Sequence, residues 1–289
     1  MTQRSNITYL GPEGCTFSAI AYDRLAKMYG APDSASAGVS LHLAESNEEI
    51  LPLLLEHGGF GSIAVETHAQ GRVDTPINSF IELLRSCDQS CPIQVIGGVE
   101  MGISFVLMAH SNASNIRTVV AHPKAFGACA KNLKKMGVNL MESPSNGKAA
   151  ETVSQAGPDS GLAALGPVQA AEKFGLKILA RGFEDLPART TFFLMGPRSF
   201  KIPARPSMSC MTVFRTKDQP GALVKVLLPY SEEGVNLRYI HSLHYSDGVY
   251  DFAIITEDAG SEAHVKATAR ASEHMNRWIR FGPFPIEAV

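Results

Sequence analysis

Side chains able to bind an anion or move a proton gather at four short stretches of this sequence. Glu66-Thr67-His68 follows the apolar run Ile63-Ala64-Val65. Arg189-Thr190-Thr191 leads into Phe192-Phe193-Leu194-Met195, and Ser145-Asn146 opens a helix-like segment. The fourth stretch is Gly11-Pro12-Glu13-Gly14-Cys15-Thr16. An imidazole such as His68 donates a proton near neutral pH. A guanidinium such as Arg189 carries a permanent charge and five fixed donors, whereas Thr190 and Thr191 offer neutral hydroxyls. Gly11 and Gly14 let backbone amides turn inward, and a helix starting near Ser18 presents an N-terminus with about half a positive charge, which suits a carboxylate. Ser145 is placed to cap a helix, and its hydroxyl and the neighbouring amides can equally hold a carboxylate. Each stretch also has a plain structural reading: a tight βα turn at Gly11–Gly14, a solvated loop histidine at His68, a helix cap at Ser145. Strand ends are where such groups do chemistry in α/β architectures.

The elements that position these groups alternate. Strands are expected at 7–10, 61–65, 94–99, 104–109, 118–121, 161–165 and 191–195, and helices at 18–29, 47–56, 78–85, 123–135, 147–155 and 168–174. Alternation of this kind is the pattern of a parallel α/β domain. Residues 197–207 hold three prolines with several serine and basic residues, which disfavours continued helix or sheet and reads as a linker. Beyond it the order is strand 210–215, helix 222–231, strand 235–244, strand 249–256, helix 261–271 and strand 278–281, a ferredoxin-like βαββαβ unit.

At 289 residues the chain is long enough for two domains, each with its own core. With 45% apolar and 19% charged residues it reads as a soluble globular protein. A net charge of -2 excludes general attraction to nucleic acid or an anionic membrane. No stretch approaches the roughly 18 apolar residues of a membrane span, and no signal core follows the start, so a cytoplasmic location is expected. The five cysteines are scattered, and Cys87 and Cys91 lack a second pair or a nearby histidine, so no metal is expected.

Taken in order, the motifs resemble the prephenate dehydratase family. Gly11-Pro12-Glu13-Gly14 is similar to its first motif, Gly-Pro-x-Gly-Thr-Phe-Ser; Cys15 is either an inserted residue or shares the Thr-Phe-Ser positions with Thr16 and Phe17. Glu66, Gly71 and Val73 keep their places in a segment the family writes Val-Pro-Ile-Glu-Asn-Ser-x-x-Gly-x-Val, with Thr67 for Asn and His68 for Ser. His122-Pro123 and Ser145, Ala149 and Ala150 resemble a further pair of motifs, with Asn146, Gly147 and Lys148 departing. Thr190 and Phe192 fit Thr-Arg-Phe, but Thr191 stands where the family has Arg. The small domain resembles an ACT domain through Pro220-Gly221-Ala222-Leu223 and Gly234-Val235-Asn236-Leu237; of its Glu-Ser-Arg-Pro motif only Ser242 survives.

The resemblance implies a two-lobed, periplasmic-binding-protein-like (type 2) catalytic domain with an ACT domain after it. Residues 1–85 and 186–198 would form one lobe, 86–185 the other, 199–207 the linker and 208–289 the ACT domain. Substrate would lie between the lobes. It implies catalytic roles for Glu66, His68, Thr190 and Thr191, and substrate contacts from Gly14, Thr16, Thr67, Ser145, Asn146, Arg189 and Phe192, with Arg72 and Lys148 as further carboxylate partners. Gly221, Ala222, Leu223, Asn236 and Ser242 would serve an amino-acid effector. No cofactor is implied, and a homodimer or homotetramer is expected. Losing Arg at position 191 while gaining His68 suits an enzyme that decarboxylates prephenate and keeps the ring hydroxyl, as non-aromatizing relatives of the family do. The alternatives are a prephenate dehydratase in which Arg189 replaces the lost group, and a ligand-binding regulator without turnover.

Overall fold

The computed structural model describes residues 5–69, 72–74, 77–87, 90–110, 115–246 and 248–288; the side chains of residues 68, 69 and 72–74 lie outside that description. In chain order the catalytic region holds β1 (Ser5–Leu10), α1 (Phe17–Tyr29), β2 (Val39–Ala44), α2 (Ile50–His57), β3 (Phe60–Ala69), β4 (Arg72–Asp74), α3 (Asn78–Ser86), β5 (Ile93–Ile103), β6 (Val106–Ala109) and β7 (Thr118–Ala121). It continues with α4 (Pro123–Ala128), α5 (Ala130–Met136), β8 (Asn139–Glu142), α6 (Asn146–Ala156), β9 (Leu162–Gly166), α7 (Val168–Lys173), β10 (Lys177–Arg181) and β11 (Ala188–Pro197). The C-terminal region holds β12 (Ser209–Thr216), α8 (Ala222–Glu232), β13 (Leu237–Ser246), β14 (Val249–Thr256), α9 (Glu262–Ser272), β15 (Met275–Phe284) and β16 (Ile286–Ala288).

Two sheets define two lobes. The first runs β16-β5-β11-β3-β1-β2 with β4 on β3; the second runs β10-β6-β9-β7-β8. Parallel pairs β1–β2, β1–β3, β7–β8 and β7–β9 carry the α/β winding, while β11 returns antiparallel between β3 and β5. Residues 93–103, placed by sequence in the second lobe, form β5 of the first sheet. The chain therefore crosses after Ile103, not near residue 86. The reason is that β5 is the strand on which the returning β11 closes. The two crossover segments run side by side: Phe183 N donates to Phe105 O at 2.9 Å, and Phe105 N to Glu184 Oε2 at 2.8 Å.

Local chemistry sets the helix ends. Thr16 caps α1, and Gly30 ends it at φ 74°. The single helix expected at 123–135 is two, broken at Cys129, because the Asp185 carboxylate accepts from Lys131 N at 2.7 Å and Asn132 N at 3.1 Å. A carboxylate arriving from the crossover starts a fresh helix there.

The C-terminal sheet, β13-β14-β12-β15, is antiparallel with α8 and α9 on one face, the ferredoxin-like arrangement. Phe214, Val226, Tyr230, Ile254 and Ala267 fill that side. Its other face shares a core with the first lobe, where Phe281 meets Phe80 edge-on at 5.5 Å between ring centres. After β15 the chain adds β16 to the edge of the first sheet, parallel to β5. The segment between Pro197 and Ser209 is also docked, since Gln94 Nε2 donates to Pro197 O at 3.0 Å and Phe200 O at 2.7 Å.

Candidate active site

A cavity of about 220 Å³ lies between the lobes. Its floor is one face of β11. Residues alternate sides along a strand, so Ala188, Thr190 and Phe192 line the cavity, while Thr191 and Phe193 turn away. Phe193 packs on Phe80 and Phe284, at 6.2 and 5.0 Å between ring centres. The Thr191 hydroxyl is buried and has no hydrogen-bond partner among the described residues.

β3 presents its own residues through an irregularity. Thr191 pairs with Glu66 and Phe192 with Ala64, so Val65 is an extra residue in β3. Asn47 holds this bulge: its Nδ2 donates to Ala64 O at 3.1 Å, and its Oδ1 accepts from Ala64 N at 3.2 Å. Thr67 consequently faces the cavity directly opposite Thr190, with the two Oγ1 atoms 3.1 Å apart.

The first turns of α1 and α6 border the same space, and their leading amides have no intrahelical acceptor. Thr16 Oγ1 accepts from Ala19 N at 3.1 Å and donates to Leu10 O at 2.6 Å. Ser145 Oγ accepts from Lys148 N at 3.1 Å and donates across the lobes to Gly11 O at 2.8 Å. Asn146 Oδ1 accepts from His122 N at 3.0 Å. These side chains are spent on shaping the site, which leaves the helix amides and the ammonium of Lys124 to attract an anion, against the carboxylate of Glu48 in the same lining. Phe17, edge-on to Phe105 at 5.4 Å, supplies apolar wall with Phe192.

The lobes are pinned beside the site. Cys15 bulges out of the Gly11–Thr16 turn into the core of the second lobe, and burial pushes its thiol up to about 11, out of nucleophilic range at neutral pH. Thr16, Phe17 and Ser18 line the cavity together, while Cys15 faces the second lobe's core. Gly147 makes room for that bulge: a Cβ there would stand 2.7 Å from Pro12 Cδ and 3.1 Å from Cys15 O.

Of the expected site residues, the cavity gathers Thr16, Thr67, Ser145, Asn146, Thr190 and Phe192. Thr191, Glu66 and Arg189 are not among them. Glu66 and Thr191 are cross-strand neighbours on the other face, and Arg189 pairs with Glu100 at 3.1 Å, because residues two apart on β11 share a side. Gly14 forms the turn at φ 67° and does not line this cavity. Lys148 pairs with Glu151 at 2.6 Å. The backbone of His68 pairs with Arg189; the side chains of His68 and Arg72, and Gly71 altogether, lie outside the described residues. Sequence reasoning missed Asn47, Lys124, Phe17 and Phe105. The polar Ser46-Asn47 pair just after β2 and the lysine after His122-Pro123 were the available signals. Among the described residues no cluster of three metal-ligating side chains occurs.

In the C-terminal domain, Gly221, Ala222 and Leu223 line a hollow of about 270 Å³ with Tyr250 and Phe252. Asn236 bonds Glu257 at 2.9 Å, and neither it nor Ser242 lines the hollow.

Two α/β lobes around a cleft, joined to a ferredoxin-like domain, define a periplasmic-binding-protein-like (type 2) protein with an ACT-type appendage. The chain belongs to the prephenate dehydratase family, whose family model matches residues 7–199. It is 28% identical over 237 residues to a prephenate dehydratase of Methanocaldococcus jannaschii, spanning 80% of this chain and 83% of that one. The fold is shared with the prephenate dehydratase of Arthrobacter aurescens solved in complex with L-Phe, at a TM-score of 0.79 and 21% identity over 97% of this chain and 89% of that one. It is also shared with a protein described as a novel type of quorum-quenching acylase, at a TM-score of 0.77 and 22% identity over 98% of both chains.

Proposed function

We propose that the chain is a prephenate dehydratase, converting prephenate to phenylpyruvate, carbon dioxide and water in the interlobe cleft. The observation that carries this reading is the Thr67–Thr190 hydroxyl pair on the cavity floor. Prephenate offers two carboxylates and, across the ring, a hydroxyl. The amides at the starts of α1 and α6, with Lys124, suit the carboxylates, and Phe17, Phe105 and Phe192 suit the ring. If Thr67 donates to Thr190, the Thr190 proton is free to point at the departing hydroxyl. The carbon–carbon bond to the ring carboxylate breaks, its electron pair moves through the diene, and the hydroxyl leaves as water with a proton drawn from solvent and relayed by Thr190. Aromatisation drives the step.

The dehydratase reading now stands ahead of hydroxyl-retaining decarboxylation. The case for the latter rested on a cation missing at position 191 and an imidazole gained at His68; the Thr191 side chain faces the opposite side of β11, and the His68 side chain lies outside the described residues. Nor does Arg189 reach in to compensate, being held by Glu100. One observation still favours non-aromatizing decarboxylation as a second reading: Lys124 is the cationic lysine or arginine among the described cavity-lining residues, and it sits at the exposed rim. Incubation of purified protein with prephenate, followed by absorbance and product mass, separates the two. Phenylpyruvate is expected; a dihydro-4-hydroxyphenylpyruvate establishes the second reading, and unchanged prephenate returns the chain to the role of a ligand-binding regulator.

On the same reading the chain works in the cytoplasm as a homodimer or homotetramer. The hollow at Gly221–Leu223 takes an amino-acid effector, a reading supported by the L-Phe complex of the Arthrobacter aurescens protein.

A further inference from the structure

Glu100 on β5 divides its carboxylate between two domains. Oε1 accepts from Arg189 Nη1 at 3.1 Å, and Oε2 accepts from Arg238 Nη2 at 3.2 Å. Arg189 immediately precedes Thr190, whereas Arg238 belongs to β13 of the C-terminal domain. The Glu100 side chain is 20% exposed and that of Arg238 32%, so salt screens this pair less than the pair with Arg189, whose side chain is 62% exposed. Directly across β11, Thr191 separates Glu100 from Glu66 and brings no charge of its own. A cation for Glu100 must come from elsewhere along β11 or from beyond the sheet, and the two arginines are those sources.

Position gives the contact its consequence. Arg189 is the second residue of β11, where the chain has just re-entered the first lobe from the crossover. Strand ends fray first, since they have the fewest ladder bonds behind them. Thr190 is laddered on both sides, to Thr67 on β3 and Met101 on β5, and Glu100 with Arg238 adds a side-chain tie on the face of β11 that points away from the cleft. β13 is itself firmly seated on the first lobe. Tyr239 is buried in the shared core, and His241 Nε2 lies 2.9 Å from Asn78 Oδ1 at the start of α3. Arg238 thus reaches Glu100 from an anchored strand.

We propose that Glu100 and Arg238 are positioning residues, through which the C-terminal domain holds the start of β11 and keeps the Thr190 hydroxyl aligned with Thr67. The proposal rests on the reading that Thr190 serves turnover of prephenate, so its test includes a measurement independent of activity. Arg238→Met, Arg238→Lys, Glu100→Gln and the double variant Glu100→Gln/Arg238→Met are compared in the full chain. Arg238→Met is expected to lower kcat about tenfold with KM held within about twofold. Arg238→Lys restores most of the rate, and the double variant is no slower than Glu100→Gln alone. Amide hydrogen exchange at residues 188–191 rises about tenfold in Arg238→Met, while exchange in the second lobe stays constant. Unchanged exchange at those residues overturns the proposal even if the chain proves inactive on prephenate. So does a kcat loss explained wholly by a smaller folded fraction, or additive losses in the double variant.

Discussion

The hydroxyls of Thr67 and Thr190 meet 3.1 Å apart on the cleft floor, each from a different strand of the first sheet. Thr190→Val keeps the shape of the side chain and removes its donor. A kcat loss of about 100-fold with KM within a few-fold is expected, in line with deleting one donor to a developing charge. Thr67→Val, one step further from the leaving group, should cost about tenfold. Steady-state kinetics on prephenate decide this, and equal kcat for Thr190→Val and wild type would remove the pair from the chemistry.

Thr191 provides the opposite test. Among the described residues its hydroxyl has no partner while it is buried, a state that costs free energy and gains nothing in return. Thr191→Val should leave kcat unchanged and be neutral to about 1 kcal/mol more stable by urea denaturation. A large rate loss would show that this position acts on the cleft after all.

Gly147 touches the turn that carries Cys15. Adding a methyl group by Gly147→Ala forces Pro12 or the Cys15 carbonyl to shift and wedges the lobes apart. Stability should fall by about 1–3 kcal/mol, and KM should rise about tenfold as the carboxylate-binding amides separate. Removing Cys15 in the Gly147→Ala background should recover part of the loss, because the bulge that needed the space has gone. Kinetics and denaturation of the single and combined variants check both effects.

Acid should destabilise the fold before it protonates most carboxylates. Burial holds the imidazoles of His42, His241 and His264 below their ordinary value of 6.5, with His57 adding to the effect at His42 and Arg280 at His264. The unfolded chain takes up these protons as the pH drops through about 6.5, while the folded chain resists them. More protons on the unfolded state means stability rises with pH in that window. The stabilisation is complete above about pH 6.5 and is lost as pH falls towards the lowered folded values. The urea midpoint should therefore be lower at about pH 5.5 than at about pH 7.5, and His264→Gln should flatten the difference.

Every central strand was legible in the sequence, as were β13 and β15 at the edges of the C-terminal sheet, but the other edge strands were not. Strand 118–121 matches β7 (Thr118–Ala121), and strand 249–256 matches β14 (Val249–Thr256). The strands that went unread, β2, β4, β8, β10 and β16, all lie at sheet edges. An edge strand is half wet and tolerates polar residues, as the fully exposed β8 shows, so its apolar signal is weak. The break at Cys129 was equally hidden, since its cause, Asp185, is remote in sequence.

For the site, local pattern determined that Thr190 and Phe192 share one side of a strand and that Thr191 and Arg189 share the other. It also placed Ser145 at the head of a helix. These follow from the two-residue repeat of a strand and from capping chemistry, both of which act between near neighbours. Which side of β11 meets the cleft, and that Thr67 rather than Glu66 joins it there, was decided only in the folded molecule. An extra residue at Val65, held by Asn47 from another segment, resets the facing of β3, and one such step exchanges every side chain between faces.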